Sequence, residues 1–347
     1  MSKLIFIAPY INSAIQRDID ILDKEYELSL FICLWMNKMK TTIGFIRQFY
    51  FLLKNIKNST AIVIEFGGYW SVLPSVLGKL FNTPVFIVLR GTDCASIPSL
   101  KYGNLRNFFL KNACHLSYYY CSALLPVSKS LIYTENRFHG NSNEIFQGIK
   151  AHFPILKFKY KVIPNGLYVE NWSMDKSIKR NKNSFIAVFS KSQFSLKGGD
   201  LICETAKYFP ESDFYIAGMT KPNLDIPINV IFLGRLTKDE LSKSFSLCQF
   251  YFQLTSYEGF GLALCEAMLC ECVPIGSSVN IIPDIIGNSG FILNEKNVDQ
   301  LVNLIENIKE EDNIRNLEKK ARERIIKNYS SDRRKKLLLD FIANNTA

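Results

Sequence analysis

The sequence has no run approaching the roughly 18 consecutive apolar residues that a membrane-spanning helix needs, so a soluble or peripheral protein is expected. It has no Gly-x-x-x-x-Gly-Lys-Ser/Thr loop and no Gly-x-Gly-x-x-Gly after its first apolar segment, which argues against a P-loop ATPase and a dinucleotide dehydrogenase. Histidine is scarce. His115, His139 and His152 are the only three, and they share no metal-ligand spacing with the nine cysteines. No Cys-x-x-Cys occurs, and the one close pair, Cys270-Glu271-Cys272, is spaced too tightly for zinc and falls at an expected helix end. Scattered free thiols fit a reducing cytoplasm, and no metal is expected. Residues 1–14 hold one lysine and a short apolar run, but Asn12, Arg17 and Asp18 come after that run without a clear cleavage site, so a buried first strand explains it better than a signal peptide. Repeats and low-complexity tracts are absent as well.

Acid is the other scarcity, and it is confined to one half. Residues 1–165 hold 9 Asp and Glu against 19 Lys and Arg, whereas residues 166–347 hold 23 of each, so the net charge of +10 lies in the first half. Such a half attracts anionic lipid, an acidic acceptor or nucleic acid; a plain lysine bias on solvated surface is the alternative. The basic residues are not interleaved with aromatics as in nucleic-acid binders, so no nucleic acid is expected.

What is present is an alternation. Apolar strand-like segments at residues 4–9, 30–34, 61–66, 85–89 and 123–127 are separated by helix-like spacing at 13–28 and 43–56 and after Gly67-Gly68. Ser128 is expected to cap a further helix. At 347 residues the chain suits two domains, and the pattern restarts at 185–189, 213–217 and 230–233. Alternation of this kind implies α/β architecture with parallel sheets. Such sheets bind ligands beyond the carboxyl ends of their strands, which singles out the loops at residues 10–14, 67–70 and 90–93.

The richest stretch is residues 252–275. A strand ending runs into a loop with Gly259 and Gly261, where backbone can approach a ligand closely, and then into a helix over about 262–270. The helix start offers free N–H groups to a phosphate. Glu258 precedes the helix and Glu266 lies within it, its Cβ tilted back toward the N-terminus, so both carboxylates can face one ligand. A charged pair on a solvated helix face is the plainer alternative.

Residues 257–268, Tyr-Glu-Gly-Phe-Gly-Leu-Ala-Leu-Cys-Glu-Ala-Met, followed by Val273-Pro274-Ile275, resemble the hallmark of retaining GT-B glycosyltransferases, with family 4 the best match. The resemblance covers most of the chain and is specific mainly over 163–293. It implies two Rossmann-like domains with parallel sheets facing across a cleft: residues 1–165 for the acceptor, residues 166–331 for the nucleotide-sugar, and residues 332–347 as a helix crossing back to the first domain. Lys161-Val162-Ile163-Pro164-Asn165-Gly166 resembles the family's interdomain junction.

By the same resemblance, Glu258 holds the sugar hydroxyls and Glu266 the ribose, with Gly259, Phe260, Gly261 and Leu262 forming the donor loop. Lys197-Gly198 matches the family's diphosphate-gripping Lys-Gly, while Lys191 stands where the family has arginine, keeping the charge but losing the bidentate fork. Backbone at Gly234 and Arg235 would face the nucleobase. Of the family's His-Asp pair near the reacting sugar only Asp93 is present, and an N-cap is its alternative duty. Tyr10, Asn12, Tyr69 and Arg90 are acceptor-side candidates; the family's glycine-rich first loop lacks glycine here.

The implied function is transfer of a hexosyl group from a nucleotide-sugar to a glycan or lipid-linked acceptor with retention, in surface polysaccharide synthesis. No metal or other cofactor is implied. The expected place is the cytoplasm, with peripheral contact to anionic membrane. Rivals are a nucleotide-sugar epimerase or hydrolase on the same fold, a basic nucleic-acid-binding protein, and a dead sugar-nucleotide binder, the last disfavoured by the intact glutamate pair.

Overall fold

The computed structural model describes residues 1–35, 38–138, 144–311 and 313–346; His139 lies outside them. The chain forms two compact units, one of Met1–Glu135, Phe146–Gly166 and Ser331–Ala347, the other of Asn136–Ile145 and Leu167–Ser330.

The first unit runs β1 (Lys3–Ala8), α1 (Ser13–Leu22), β2 (Glu27–Ile32), α2 (Lys38–Asn55), β3 (Ser59–Glu65), α3 (Tyr69–Leu80), β4 (Val85–Leu89), α4 (Phe108–Tyr120) and β5 (Ala123–Pro126). A short antiparallel pair, β6 (Thr134–Glu135) and β7 (Phe146–Gln147), and a turn of helix, α5 (Ile149–His152), follow. The five main strands make a parallel sheet in the order β2-β1-β3-β4-β5. Leu4, Ile5, Phe6 and Ile7 of β1 are all fully buried, so this strand is covered on both faces, which is why it is a continuous apolar run. α2 and α4 pack on either side of α3, whereas α1 packs with the chain's last helix.

The second unit runs β8 (Asn181–Val188), α6 (Gly199–Ala206), β9 (Asp213–Ala217), β10 (Val230–Gly234), α7 (Lys238–Leu247), β11 (Cys248–Gln253), α8 (Leu262–Leu269), β12 (Val273–Ser277), α9 (Ile282–Ile286), β13 (Phe291–Leu293), α10 (Val298–Lys309) and α11 (Ile314–Tyr329). Its six strands are parallel in the order β10-β9-β8-β11-β12-β13. Phe185 of β8 stacks on Phe214, Phe250 and Phe252 of its neighbours at 4.9 to 5.1 Å; three strands are thus locked by one aromatic layer. The final helix, α12 (Ser331–Asn344), belongs to the first unit.

Three sequence expectations shift. The helix expected over 13–28 stops at Leu22, because residues 27–32 are taken up by β2, paired in parallel register with β1 from Lys3↔Glu27 to Ala8↔Ile32. Ser128 caps no α-helix: only a 3-10 turn, Lys129–Leu131, follows, and its hydroxyl pairs instead with that of Ser130 at 2.8 Å. Asp93 is no helix N-cap either, as it sits inside a 3-10 turn, Thr92–Cys94.

Candidate functional site

In the second sheet the chain order reverses between β8 and β11, whose connections run to opposite sides. In open parallel sheets the crevice beyond the carboxyl ends of two such strands is where ligands bind. The loop after β8 carries Lys191 and Lys197, and the loop after β11 carries Glu258, so the topology brings together three residues picked out in the sequence.

The two loops touch closely. Gly198 has φ +75, and a Cβ there would lie 2.3 Å from the carbonyl oxygen of Leu254; any side chain would push the β8 loop off β11. Ser256 N donates to Leu196 O at 2.7 Å and Thr255 Oγ1 to the same oxygen at 3.1 Å. Held so, Lys197 Nζ forms an ion pair with Glu258 Oε2, both side chains mostly covered. Gln253 Nε2 also donates to Glu258 Oε2, at 2.7 Å, and Tyr251 OH donates to Gln253 Oε1 at 3.1 Å. Burial, then Glu258 and Glu266, push the Tyr251 hydroxyl well above its ordinary value. Lys191 stands exposed on a 3-10 turn, Lys191–Gln193, with Ser190 and Gln193 boxing its start.

α8 begins at Gly261, φ +95, which supplies no side chain to cap the first-turn amides. Its other end is neutralised. Arg180 Nη1 and Nη2 donate to Glu271 O and Cys270 O at 2.7 and 2.8 Å, and Arg322 Nη1 reaches Leu269 O. With its negative end met by two guanidinium groups, the helix presents its positive end at the switch point. Gly259 is buried and Leu262 half-buried, whereas Phe260 packs away from the loop surface, edge-on to Tyr329 at 5.4 Å. Only the backbone of Phe260 is therefore available to a ligand.

Sequence reading missed Gln253, which orients Glu258, and Asn280. Asn280 sits at φ +52; its Oδ1 accepts from Glu258 N at 3.3 Å, while its Nδ2 is buried without a partner. The residue that holds the Glu258 amide thus keeps a buried donor able to take an acceptor atom. A positive-φ asparagine has no one-dimensional signature, so only the fold reveals it. Gly234, φ +69, ends β10 with open space around its α-carbon, and Arg235 follows exposed. β10 is three strand steps from β11, about 14 Å at the usual spacing.

In the first unit the reversal falls between β1 and β3; Tyr10 and Asn12 follow β1, Tyr69 opens the helix after β3, and Arg90 follows β4. Tyr10 is exposed, 5.7 Å from Phe66, and burial of its hydroxyl, then Asp93, raises its pKa. Tyr69 opens α3, half-buried. The other two are occupied. Asn12 Oδ1 caps α1, accepting from Ala14 N and Ile15 N at 3.0 Å. Arg90 is buried, its Nε 2.8 Å from Glu65 and its Nη2 2.6 Å from Asp18. Asp93 is fully buried, its carboxylate accepting from Gly67 N at 3.0 Å, Arg90 N at 3.1 Å and Gly91 N at 2.9 Å. Its visible duty is to fold the β3 and β4 loops together.

Asp18 also takes both Nε and Nη2 of Arg334, and Arg334 Nη1 donates to Ile163 O and Pro164 O at 2.8 and 2.9 Å. Burial alone would push the Asp18 carboxyl up, but Arg334 and Arg90 bring it down to about 2. Glu65, equally buried and sharing Arg90 with Asp18, is instead pushed up to about 7. All nine cysteines are free. Among the described residues no group of three metal-ligating side chains occurs, and no helix is long and apolar enough to cross a membrane.

Residues 170–330 match the family described as Glycosyl transferases group 1. A serotype-specific mannosyltransferase, WbdA of Escherichia coli, is 34% identical over 77 residues, which is 22% of this chain and 9% of the relative. An N-acetyl-alpha-D-glucosaminyl L-malate synthase of Bacillus anthracis is 32% identical over 117 residues, 32% of this chain and 29% of the relative. The chain thus spans under a third of the length of these two relatives. Among solved structures, a sucrose-phosphate synthase from Thermosynechococcus elongatus superposes with a TM-score of 0.77 at 13% identity, covering 99% of both chains. Anabaena HepE in complex with UDP gives 0.74 at 13% identity over 99% of this chain and all of that one. At such identity the likeness speaks for the fold. The fold is GT-B, and residues 170–330 are similar to the family of glycosyl transferases group 1.

Proposed function

We propose that the chain transfers a hexosyl group from a nucleotide-sugar to a glycan or lipid-linked acceptor with retention of configuration, in the synthesis of a surface polysaccharide. One observation carries the reading: at the switch point of the second sheet, Lys197, Glu258 and the uncapped start of α8 converge. That set suits a diphosphate joined to a sugar. Lys197 and the α8 amides would meet the charge growing on the leaving diphosphate, with Lys191 closing from its exposed turn. Glu258, freed from Lys197 as phosphate arrives, would accept from sugar hydroxyls, and Asn280 Nδ2 would donate to one. Glu266 would take the ribose, and the roughly 14 Å to Gly234 and Arg235 leaves room for the base.

These cations and dipoles supply the charge stabilisation without calling on a metal ion. Because no side chain in the set is placed as a general base, the acceptor's proton would pass to the leaving phosphate. Acceptor recognition would fall to Tyr10 and Tyr69 in the first unit, on loops that Asn12, Arg90 and Asp93 hold in shape. The mannosyl and glucosaminyl transfers in the relatives' names, and the UDP-glucose bound in Anabaena HepE, support a hexose donor. A panel of UDP-, GDP- and ADP-hexoses, each incubated with and without lipid-linked and free glycan acceptors, tests the reading. Acceptor-dependent transfer is the expected result; donor loss or epimerisation without any acceptor would replace it with a hydrolase or epimerase.

A further inference from the structure

The positive excess of the chain has an address. Between residues 28 and 134 the sequence holds eleven Lys and Arg but only two acids, Glu65 and Asp93. Both acids are buried. Arg90, one of the eleven, is paired with Glu65 and Asp18, whereas α2, α3 and α4 carry no acid and the exposed Arg47, Lys54 and Lys79 on them have no carboxylate partner among the described residues.

The same layer exposes apolar side chains in an order that is the reverse of a globular surface. Along α2 the inward stripe is Gly44, Gln48, Leu52 and Asn55. The outward stripe is Ile43, Ile46, Phe49, Tyr50 and Leu53, with Tyr50 68% and Ile46 54% exposed. Arg47, Lys54 and Lys57 stand among them, also exposed. Positions 43, 46, 50 and 53 follow the three-four spacing of one helix face, and Lys57 stands just beyond it in the 3-10 turn Ile56–Asn58. On α4, Phe108 and Phe109 are 74% and 70% exposed, with Leu116 and Tyr119 further along, and Arg106 and Lys79 are exposed nearby in the layer. Single exposed apolar residues are ordinary, but a helix face of aliphatic, aromatic and cationic side chains with one threonine, Thr42, and no acid is not.

We infer that the α2–α4 layer docks on an anionic lipid bilayer, with Ile46, Phe49, Tyr50 and Leu53 entering the headgroup boundary and Arg47, Lys54 and Lys57 meeting lipid phosphates. Charge complementarity selects this occupant: a face with cations and no acid, interleaved with apolar bulk, is what interfacial helices present. The inference is independent of sugar transfer, since it rests on the first unit's surface alone.

The test is co-sedimentation of the full chain, without nucleotide-sugar, with phosphatidylcholine vesicles and with vesicles of two parts phosphatidylcholine to one part phosphatidylglycerol. The wild type should bind the anionic vesicles only, and less as salt shortens the screening length from about 8 Å toward about 3 Å. Arg47→Glu with Lys54→Glu should weaken partitioning by more than about tenfold. Ile46→Ser, Tyr50→Ser and Leu53→Ser together should leave only a weak, easily salted-off component. Lys319→Glu with Lys327→Glu, a matched reversal on α11, should change nothing. Nucleoside diphosphate binding should be the same in all four proteins, which separates a lost surface from a lost fold. Equal binding to neutral and anionic vesicles, equal partitioning of the Glu variants and wild type, or a lipid-free dimer that the Ser variant abolishes would each overturn the inference.

Discussion

Lys197 Nζ is bonded to Glu258 Oε2 across the two loops that flank the β8–β11 switch point. With Gln253 Nε2 on the same oxygen, the carboxylate is held in one orientation before any ligand arrives. A ligand bearing both phosphate and hydroxyl groups would give Lys197 an anionic partner and Glu258 hydrogen-bond donors in place of the pair.

The two glutamates should separate by readout. Glu258→Ala is expected to abolish transfer while nucleoside diphosphate binding persists. Glu266→Ala should weaken nucleoside diphosphate binding by about 1 to 3 kcal/mol, the range for a lost charged hydrogen bond. Calorimetric titration of both variants checks this; equal affinity in wild type and both variants would remove Glu266 from the ribose.

The two lysines should be unequal. Lys197→Ala should lose more activity than Lys191→Ala, because Lys197 is fixed beside Glu258 and Lys191 is exposed on its turn. Lys191→Arg should lower the donor KM, since a planar fork engages phosphate with two parallel bonds. An unchanged or raised KM would show that residue 191 does not reach the diphosphate.

Asn280→Gly should raise the donor KM without lowering the melting temperature. Glycine accepts φ +52 more readily than asparagine, so a loss of activity at unchanged melting temperature reports the missing side chain, its Nδ2 donor together with the Oδ1 that holds Glu258 N, and not the fold. A lowered melting temperature with an unchanged KM would make Asn280 structural.

The Asp18, Glu65, Arg90 and Arg334 cluster makes a pH prediction. Asp18 is lowered to about 2 in the folded chain, so its contribution is present above its unfolded value near 4 and is lost as pH falls toward 2. Glu65 is raised to about 7; between about 4.5 and 7 the folded chain holds a proton the unfolded chain has released, so this group lowers stability as pH rises through that window. Glu65→Gln should flatten the melting temperature between those pH values. Arg334→Met, which leaves the buried Asp18 with only Arg90, a guanidinium it shares with Glu65, should destabilise by up to about 3 kcal/mol, read by denaturant unfolding of the first unit's transition.

Much of this was legible in one dimension because buried parallel strands are written as apolar runs. Leu4 to Ile7 and Val85 to Leu89 are buried on both faces, and each stands out in the sequence. The loops that carry Lys197, Gly198, Glu258 and Gly261 are legible as loops because glycine after an apolar run marks a strand's end and a close backbone turn. β2 was placed late and short, since an edge strand with Glu27, Leu30 and Ile32 exposed lacks a buried run's signature. The pairing of Asp18 with Arg334, 316 residues apart, and the unpaired Nδ2 of Asn280 depend on tertiary approach, which local pattern does not encode. The charge excess was countable from composition, but its gathering on α2–α4 required knowing that Glu65 and Asp93 are buried.

The most direct test of the central claim is titration of UDP, GDP and ADP into the wild type and into Lys197→Ala, by calorimetry at fixed salt. If the switch point of the second sheet grips a nucleotide-sugar by its diphosphate, the wild type binds at least one of them and Lys197→Ala binds it at least about tenfold more weakly, the loss of one charged contact. Equal binding by the two proteins, or no binding of any of the three by the wild type, would contradict it.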